Sequence, residues 1–208
     1  MASVLQQTQA LGRVLIARAR ARGSAYRACD APEVSMASYS SQLSLLVNAE
    51  AALWLRRHGL KAPFIQQAAA ELPLGRAATL RHRLQALGLT WDGEPASLGP
   101  LVGALPQADL RTRAIVQMVA AQMGHAHFDS VPGCHALLHL PAYLHLTAPA
   151  RRLEDLLTQR ILLAHVEGRP VPYQGEAELH PALYSIEAAR ARQKRADALL
   201  PARPLPPS

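Results

Sequence analysis

Residues 142–160, Ala-Tyr-Leu-His-Leu-Thr-Ala-Pro-Ala-Arg-Arg-Leu-Glu-Asp-Leu-Leu-Thr-Gln-Arg, constrain this chain more than any other stretch. The segment reads as a short apolar strand or extended arm, a turn closed by Pro149, and then a helix. Pro149 suits the first helical position, where its fixed φ helps and its missing N–H costs nothing. Arg151 and Arg152 would then fall in the first turn, where cations oppose the helix macrodipole. Two explanations stand side by side. Free backbone N–H groups and two guanidiniums together make a phosphate site. Alternatively, Arg151 pairs with Glu154 and Asp155 and Arg152 pairs with Asp155, at i+3 and i+4. Arg160 lies seven residues after Leu153 and four after Leu156, on the expected apolar face. An unpaired charge there is expensive, so it needs an acidic partner or points into a site.

The rest of the chain reads as mostly helical. Half the residues are hydrophobic but only 4% are aromatic, so the core is built from Leu, Ala and Val. Leu and Ala are strong helix formers. A first helix over 2–22 has apolar Val4, Leu11, Val14 and Leu15 and stops at Gly23. Two short strands are expected between Ser24 and Ser41. Ser40 or Ser41 then caps a helix with Leu43, Leu46, Val47 and Trp54 on one stripe, ended by Gly59. Asn48 and Glu50 lie close to that stripe and read as buried or edge hydrogen-bonding residues. Residues 60–75 read as an irregular or extended connection, and Arg76–Leu87 as a helix with Leu80, Leu84 and Leu87 on its face. Trp91–Pro95 is turn chemistry, followed by a Gly- and Pro-rich stretch to Pro106. Asp109 caps a helix with Leu110, Ala114, Met118 and Ala121 on its main stripe and Ile115 and Val119 beside it, ending around Gly124. The helix after Pro149 ends at Gly168. Pro172–Pro181 is expected as a loop, and Ser185 as the cap of a last helix with Glu187 in its first turn. The fold class is α+β, predominantly helical, with a few short strands. One domain is expected over 1–200, with a disordered Pro-rich tail over 201–208.

Charge narrows the partners. Lys plus Arg outnumber Asp plus Glu by 22 to 15, for a net charge of +7, and Arg greatly outnumbers Lys. That balance favours forked recognition of phosphate and a nucleic acid or an acidic surface as partner. Cys29 and Cys134 are expected as reduced thiols. Met1–Gln9 is polar, without the apolar region of a signal peptide. No apolar run reaches 18 residues, so no membrane partner is expected, and the expected location is cytoplasmic. Six histidines lie between 125 and 165, but Cys134, His135 and His139 match no standard zinc spacing, and no metal ligands are assigned. No nucleophile elbow, P-loop or dinucleotide fingerprint is present. The six aspartates, Asp30, Asp92, Asp109, Asp129, Asp155 and Asp197, are isolated from one another.

Tyr143-x-His145-x-Thr147-x-Pro149-x-Arg151-Arg152-x-x-Asp155-Leu156-x-x-x-Arg160 resembles the signature of the RNB family of 3′→5′ exoribonucleases, the ribonuclease II and ribonuclease R group. Leu46-Val47-Asn48 resembles the family's L-A-N helix. Arg18–Ser24 resembles the segment ahead of it. Ala62-Pro63-Phe64 sits where the family has an aromatic, and residues 185–200 resemble the helix that closes the catalytic domain. The resemblance covers the C-terminal half or so of an RNB domain and implies a partial domain of that fold.

Family membership implies hydrolysis of single-stranded RNA to nucleoside 5′-monophosphates at Mg²⁺ held by four aspartates. Those ligands belong to the half of the domain not matched here, and no Mg²⁺ ligands are identified in this chain. The resemblance assigns Arg151 and Arg152 to catalytic phosphate contact, Phe64 to base stacking, and Tyr143, His145, Thr147 and Arg160 to RNA binding. Ala148 stands where the family has Ser, removing a helix cap. Leu153 replaces Tyr, Gln159 replaces His, and the family's catalytic glutamate falls at Gln193. The chain is then the RNA-binding part of such an exoribonuclease, with single-stranded RNA as partner and the other half of the domain belonging either to a longer form of the same gene product or to a separate polypeptide. The alternative is a non-catalytic RNA-binding or protein-interaction module on the same scaffold.

Overall fold

The computed structural model describes residues 3–24, 36–68, 74–105, 110–122 and 125–199. The first helix, α1 (Val4–Ala21), buries Gly12, Leu15, Ile16 and Ala19, spaced i, i+3, i+4 and i+7, and packs along α2 (Met36–Arg57). This stripe is rotated from the expected one: Val4, Leu11 and Val14 are exposed. Small Gly12 and Ala19 let the two helices approach, so size and not hydrophobicity alone selects the face. Gly23 takes φ +78° and Ser24 N–H reaches back to Ala19 O at 3.0 Å, closing α1 as expected.

Helix α2 starts earlier than its serines suggest. Residues 36–39, expected to be extended, are helical, and Ser40 and Ser41 lie inside the helix, not at its cap. Packing against α1 overrides the local cap signal. The remainder of the expected strands, 25–35, lies outside the described residues. Buried Gln42, Asn48, Ala49, Ala52 and Leu55 form the inner face, while Val47 and Glu50 are exposed. Gly59 takes φ +65° and ends α2.

Two strands of three residues each follow from distant parts of the chain. β1 (Phe64–Gln66) and β2 (His127–Asp129) pair antiparallel, with Phe64 opposite Asp129 and Ile65 opposite Phe128. On the other edge of β1, Phe64 bridges Leu144 and Ile65 N–H donates to Tyr143 O at 2.8 Å. The 143–146 segment, expected as a strand or extended arm, is therefore extended and laid on β1.

A helical lobe lies between the strands in sequence. α3 (Leu74–Ala86), α4 (Leu98–Gly103) and α5 (Leu110–Ala120) pack Leu80, Leu84, Trp91, Leu98, Val102, Ile115 and Val119 together. The Gly- and Pro-rich stretch is thus partly helical. A Cβ on Gly99 would stand 2.8 Å from Gly23 O, so glycine is what lets α4 reach the end of α1. In α5 the buried seam is Thr112, Ile115 and Val119; Ala114 and Ala121, expected inside, are exposed. The β-branched pair wins because it fills more of the space facing Leu84 and Trp91. Asp109 and Gly124 lie outside the described residues.

The chain closes with α6 (Leu153–Val166), ended by Gly168 at φ +66°, and α7 (Glu176–Leu199). Ser185 is not a cap. It sits mid-helix, its hydroxyl donating to Pro181 O at 2.8 Å. Pro181, read as a breaker, is inside α7 on its exposed side, where water can satisfy the carbonyl that its missing N–H leaves free. Glu187, expected in a first turn, is mid-helix and accepts Phe128 N–H at 2.8 Å, joining α7 to β2. The expected tail at 201–208 lies outside the described residues.

Phe64 is 0% exposed and packs with Leu55, Ala142, Leu144 and Ile161 where α2, β1, the arm and α6 meet. Its ring has no face open for a base, so the stacking role expected of it is replaced by a core role. Phe64→Ala is expected to lower unfolding free energy by about 3–5 kcal/mol, with Phe64→Leu losing less. Urea denaturation followed by circular dichroism measures both; a loss under about 1 kcal/mol for the alanine variant would contradict the core role.

Candidate functional site

The signature residues build a loop braced from three directions. Asn48, on α2, donates from Nδ2 to the Tyr143 hydroxyl at 3.3 Å and accepts Leu146 N–H on Oδ1 at 3.0 Å. Gln159, on α6, donates to Leu146 O at 2.8 Å. Both backbone groups of Leu146 are thereby held by side chains of two helices. Gln159 stands where the family has His, and its amide supplies a donor for this bond.

Beyond Leu146 the chain turns at Ala148–Arg151, where Arg151 N–H and Arg152 N–H both reach Ala148 O, at 3.2 and 3.1 Å. Pro149 occupies the second position of this turn, which its φ suits. It does not begin the helix. The N-cap of α6 is Arg152, in extended conformation (φ −131°, ψ 120°), and Leu153 is the first helical residue. Glu154 and Asp155 fill the first turn, so the dipole is matched by acids and the expected conflict disappears. Ala148 is correspondingly not a lost helix cap.

Asp155 is 0% exposed. Its Oδ2 accepts Ala148 N–H at 2.6 Å and Arg152 Nη2 at 2.7 Å. Arg152, whose side chain is 21% exposed, is the i+3 partner foreseen from spacing. Arg151 is exposed and pairs with no described residue. The two consecutive arginines thus separate: Arg152 turns in and holds the loop, while Arg151 closes the turn and is exposed, as is Thr147 just ahead of it.

Glu154 pairs with His145 and not with Arg151. Its Oε1 lies 3.4 Å from His145 Nδ1. Burial pushes the Glu154 carboxyl up, but the His145 hydrogen bond, its own backbone and the charges of Arg190 and His145 together bring it below its usual value. Arg190, on α7, also lies over the Phe128 ring at 4.5 Å. Nothing in the sequence placed Arg190 near the signature; α7 had to be traced in space. Tyr143 is buried, with His135 and His145 packed edge-on on either side at 5.4 Å. Arg160 is exposed, donating to Tyr173 Oη at 3.4 Å. The expected apolar face is in fact the outer one: Leu153, Leu156, Arg160 and Leu163 are exposed, and Leu157, Ile161 and Ala164 turn inward with Thr158. Gln193 is exposed on α7.

Cys134, His135 and His139 do not converge. Among the described residues, the group whose ligand atoms lie within 4.8 Å of one another is His145, Glu154 and Asp155. This set does not fit Mg²⁺. The metal prefers octahedral oxygen ligands and keeps several waters, whereas here one donor is imidazole, both carboxylates are buried, and Asp155 already binds a guanidinium and a backbone N–H.

His135 is buried, and burial pushes its imidazole down to about 4, with the charge of His145 adding to this and its own backbone opposing. The folded-state value lies below the unfolded one, near 6.5. The neutral ring's contribution is therefore present above pH 6.5 and is lost as pH falls from 6.5 towards 4. His135→Phe is expected to flatten that limb, which amounts to at most about 3 kcal/mol, while leaving stability at pH 7 little changed. Urea midpoints across this range test it; an unchanged acid limb contradicts the assignment.

Three comparisons place this geometry. The RNB domain family matches residues 32–168. An uncharacterized ribonuclease of Synechocystis sp. is 27% identical over 146 residues, covering 70% of this chain and 18% of that protein. Among solved structures, yeast Ssd1, a pseudonuclease, superposes with a TM-score of 0.67 at 20% identity, covering 90% of this chain and 26% of that one. Mycoplasma genitalium RNase R in complex with ribose-methylated single-stranded RNA gives 0.63 at 16% identity, covering 76% and 28%. The chain spans less than a third of each of these proteins. No helix of the described residues is long and apolar enough to cross a membrane. The family match covers more than half of the chain, and the arm, turn and helix built from Tyr143 to Arg160 lie within it: this protein belongs to the RNB domain family.

Proposed function

We propose that this chain is an RNA-holding part of an RNB-type 3′→5′ exoribonuclease, acting on single-stranded RNA. The observation that carries the reading is the division of labour at Arg151 and Arg152. A fully buried carboxylate and a paired guanidinium fix the turn from inside, so the exposed Arg151 guanidinium is presented on a braced backbone and not on a floppy loop. A pre-positioned fork of N–H donors suits a phosphate oxygen pair. Thr147, exposed just ahead of the turn, adds a hydroxyl donor. Tyr143 and His145, both mostly enclosed, support the loop from below and contribute to RNA binding through its shape. Arg160 serves as an outlying contact on the outer face of α6.

Hydrolysis to nucleoside 5′-monophosphates in the family sense needs a metal, and the described residues offer no set that suits Mg²⁺. The ligands would come from elsewhere in a longer protein or from a separate polypeptide. The misfit of His145, Glu154 and Asp155 also keeps a second reading open, a non-catalytic RNA-binding module on the RNB scaffold.

Binding of a labelled single-stranded RNA, followed by fluorescence anisotropy across a KCl series, separates these roles from a bare basic surface. Arg151→Ala is expected to weaken binding for every sequence alike and to reduce the slope of log K against log salt by about 0.7, the share of one single-strand phosphate contact. Its thermal stability is expected to match that of the unaltered chain. An unchanged slope rejects the phosphate role. The unaltered chain, incubated with Mg²⁺ and RNA, is expected to release no mononucleotide; sustained release would favour the catalytic reading and overturn the assignment of metal ligands elsewhere.

A further inference from the structure

Away from the signature loop, positive charge gathers on the helical lobe. α3 carries Arg76, Arg81, His82 and Arg83, α5 carries Arg111 and Arg113, and neither helix contains an acidic residue. Two of these arginines have local duties. Arg81 donates from Nη2 to Asp92 O at 3.0 Å, against the 91–94 turn, and Arg111 donates to Leu87 O at the end of α3. Arg76 and Arg83 have none: both are exposed, and neither guanidinium bonds to or pairs with a described residue.

These two stand seven residues apart on one side of α3 and line a cleft of about 260 Å³ between α3 and the end of α5. Leu80 and Met118 give the cleft an apolar lining, and Gln122 adds an amide. The Thr79 hydroxyl directs its proton to Gly75 O at 2.9 Å, so the donors left for a ligand are the two guanidiniums and the amide. Helix stability does not account for Arg76, which sits in a first turn without an acid, where the dipole disfavours a cation. Capping of the last α5 carbonyls does not account for it either, since no bond joins Arg76 or Arg83 to them.

We propose that this cleft is a second anion site, holding backbone phosphates of a single-stranded nucleic acid. Two turns of helix separate the guanidiniums by about 10 Å at the backbone. That span suits two phosphates of one strand better than one isolated anion, and half-buried Met118 offers a sugar or base an apolar contact. The choice of a nucleic acid as the source rests on the RNA-binding reading above; the anion chemistry does not.

The test uses the full chain and two variants, Arg76→Ala/Arg83→Ala and Arg151→Ala, with single-stranded RNA and with inorganic pyrophosphate. The double variant is expected to keep the thermal stability of the parent and to reduce the salt slope of RNA binding by about 1.4, two single-strand contacts. Arg76→Lys/Arg83→Lys should restore part of that loss. An effect of Arg151→Ala alone supports the signature loop and overturns the cleft. An effect of the double variant alone does the reverse. If the parent binds no RNA, side-chain NMR signals of Arg76 and Arg83 decide: shifts on adding pyrophosphate keep the anion site and remove the nucleic acid as its source. Absence of any shift overturns the proposal and leaves a solvated basic face.

Discussion

The carboxylate of Asp155 is the interaction on which the candidate site depends. A fully buried carboxylate is tolerable only when charge and hydrogen bonds compensate it. Here one oxygen takes both the Ala148 N–H and the Arg152 guanidinium, tying the start of the turn, the end of the turn and the first turn of α6 to a single atom. Its other oxygen and Arg152 Nε are buried without protein partners. Removing Asp155 would leave a half-buried guanidinium and a backbone N–H unsatisfied together, so the turn has no cheap alternative geometry. Arg151 inherits its position from that constraint without taking part in it.

The same logic explains why Leu146 is held twice. An extended arm beside a three-residue strand has too few ladder bonds to be stable by itself. Asn48 and Gln159 replace the missing strand on the far side, one taking the N–H and the other feeding the carbonyl. The arm thus has β1 on one edge and two helix side chains on the other. Burial of Phe64 beneath it, among Leu144 and Ile161, ties the arm to the core.

Much of this was legible in the residues, and what was not has definite causes. The glycine stops at 23, 59 and 168 follow from backbone chemistry alone and stand as read. Asn48 as a buried hydrogen-bonding residue also stands, because an amide near an apolar stripe must find partners. The start of α6 was misread because Pro149 is equally suited to a turn and to a first helical position, and only the Asp155 contact to Ala148 chooses between them. The buried faces of α1 and α5 differ from the expected ones because counting apolar residues ignores size: in α5 Ala114 and Ala121 turn out and the larger Ile115 and Val119 turn in, whereas in α1 the small residues face the neighbour. Glycine and alanine can mark the contact side when a neighbouring helix comes close. The apolar face of α6 was misjudged because leucines occur on both sides of it, and the helix has almost no amphipathic signal to decide with. The place of Arg190 against Phe128 and near Glu154 depends on how α7 crosses β2, which local patterning cannot encode.

A site made to hold a metal gathers uncompensated carboxylates, whereas each acid near the signature already has a cation. Asp155 has Arg152, and Glu154 has His145 and the field of Arg190. Both of these acids are compensated internally, and Arg151 here and Arg76 and Arg83 on the lobe are among the exposed arginines whose guanidiniums have no partner among the described residues. Two buried, compensated acids beneath exposed guanidiniums leave a surface that attracts anions. In the proposed function Arg151 supplies the grip, while Glu154 and Asp155 are each already paired with a cation.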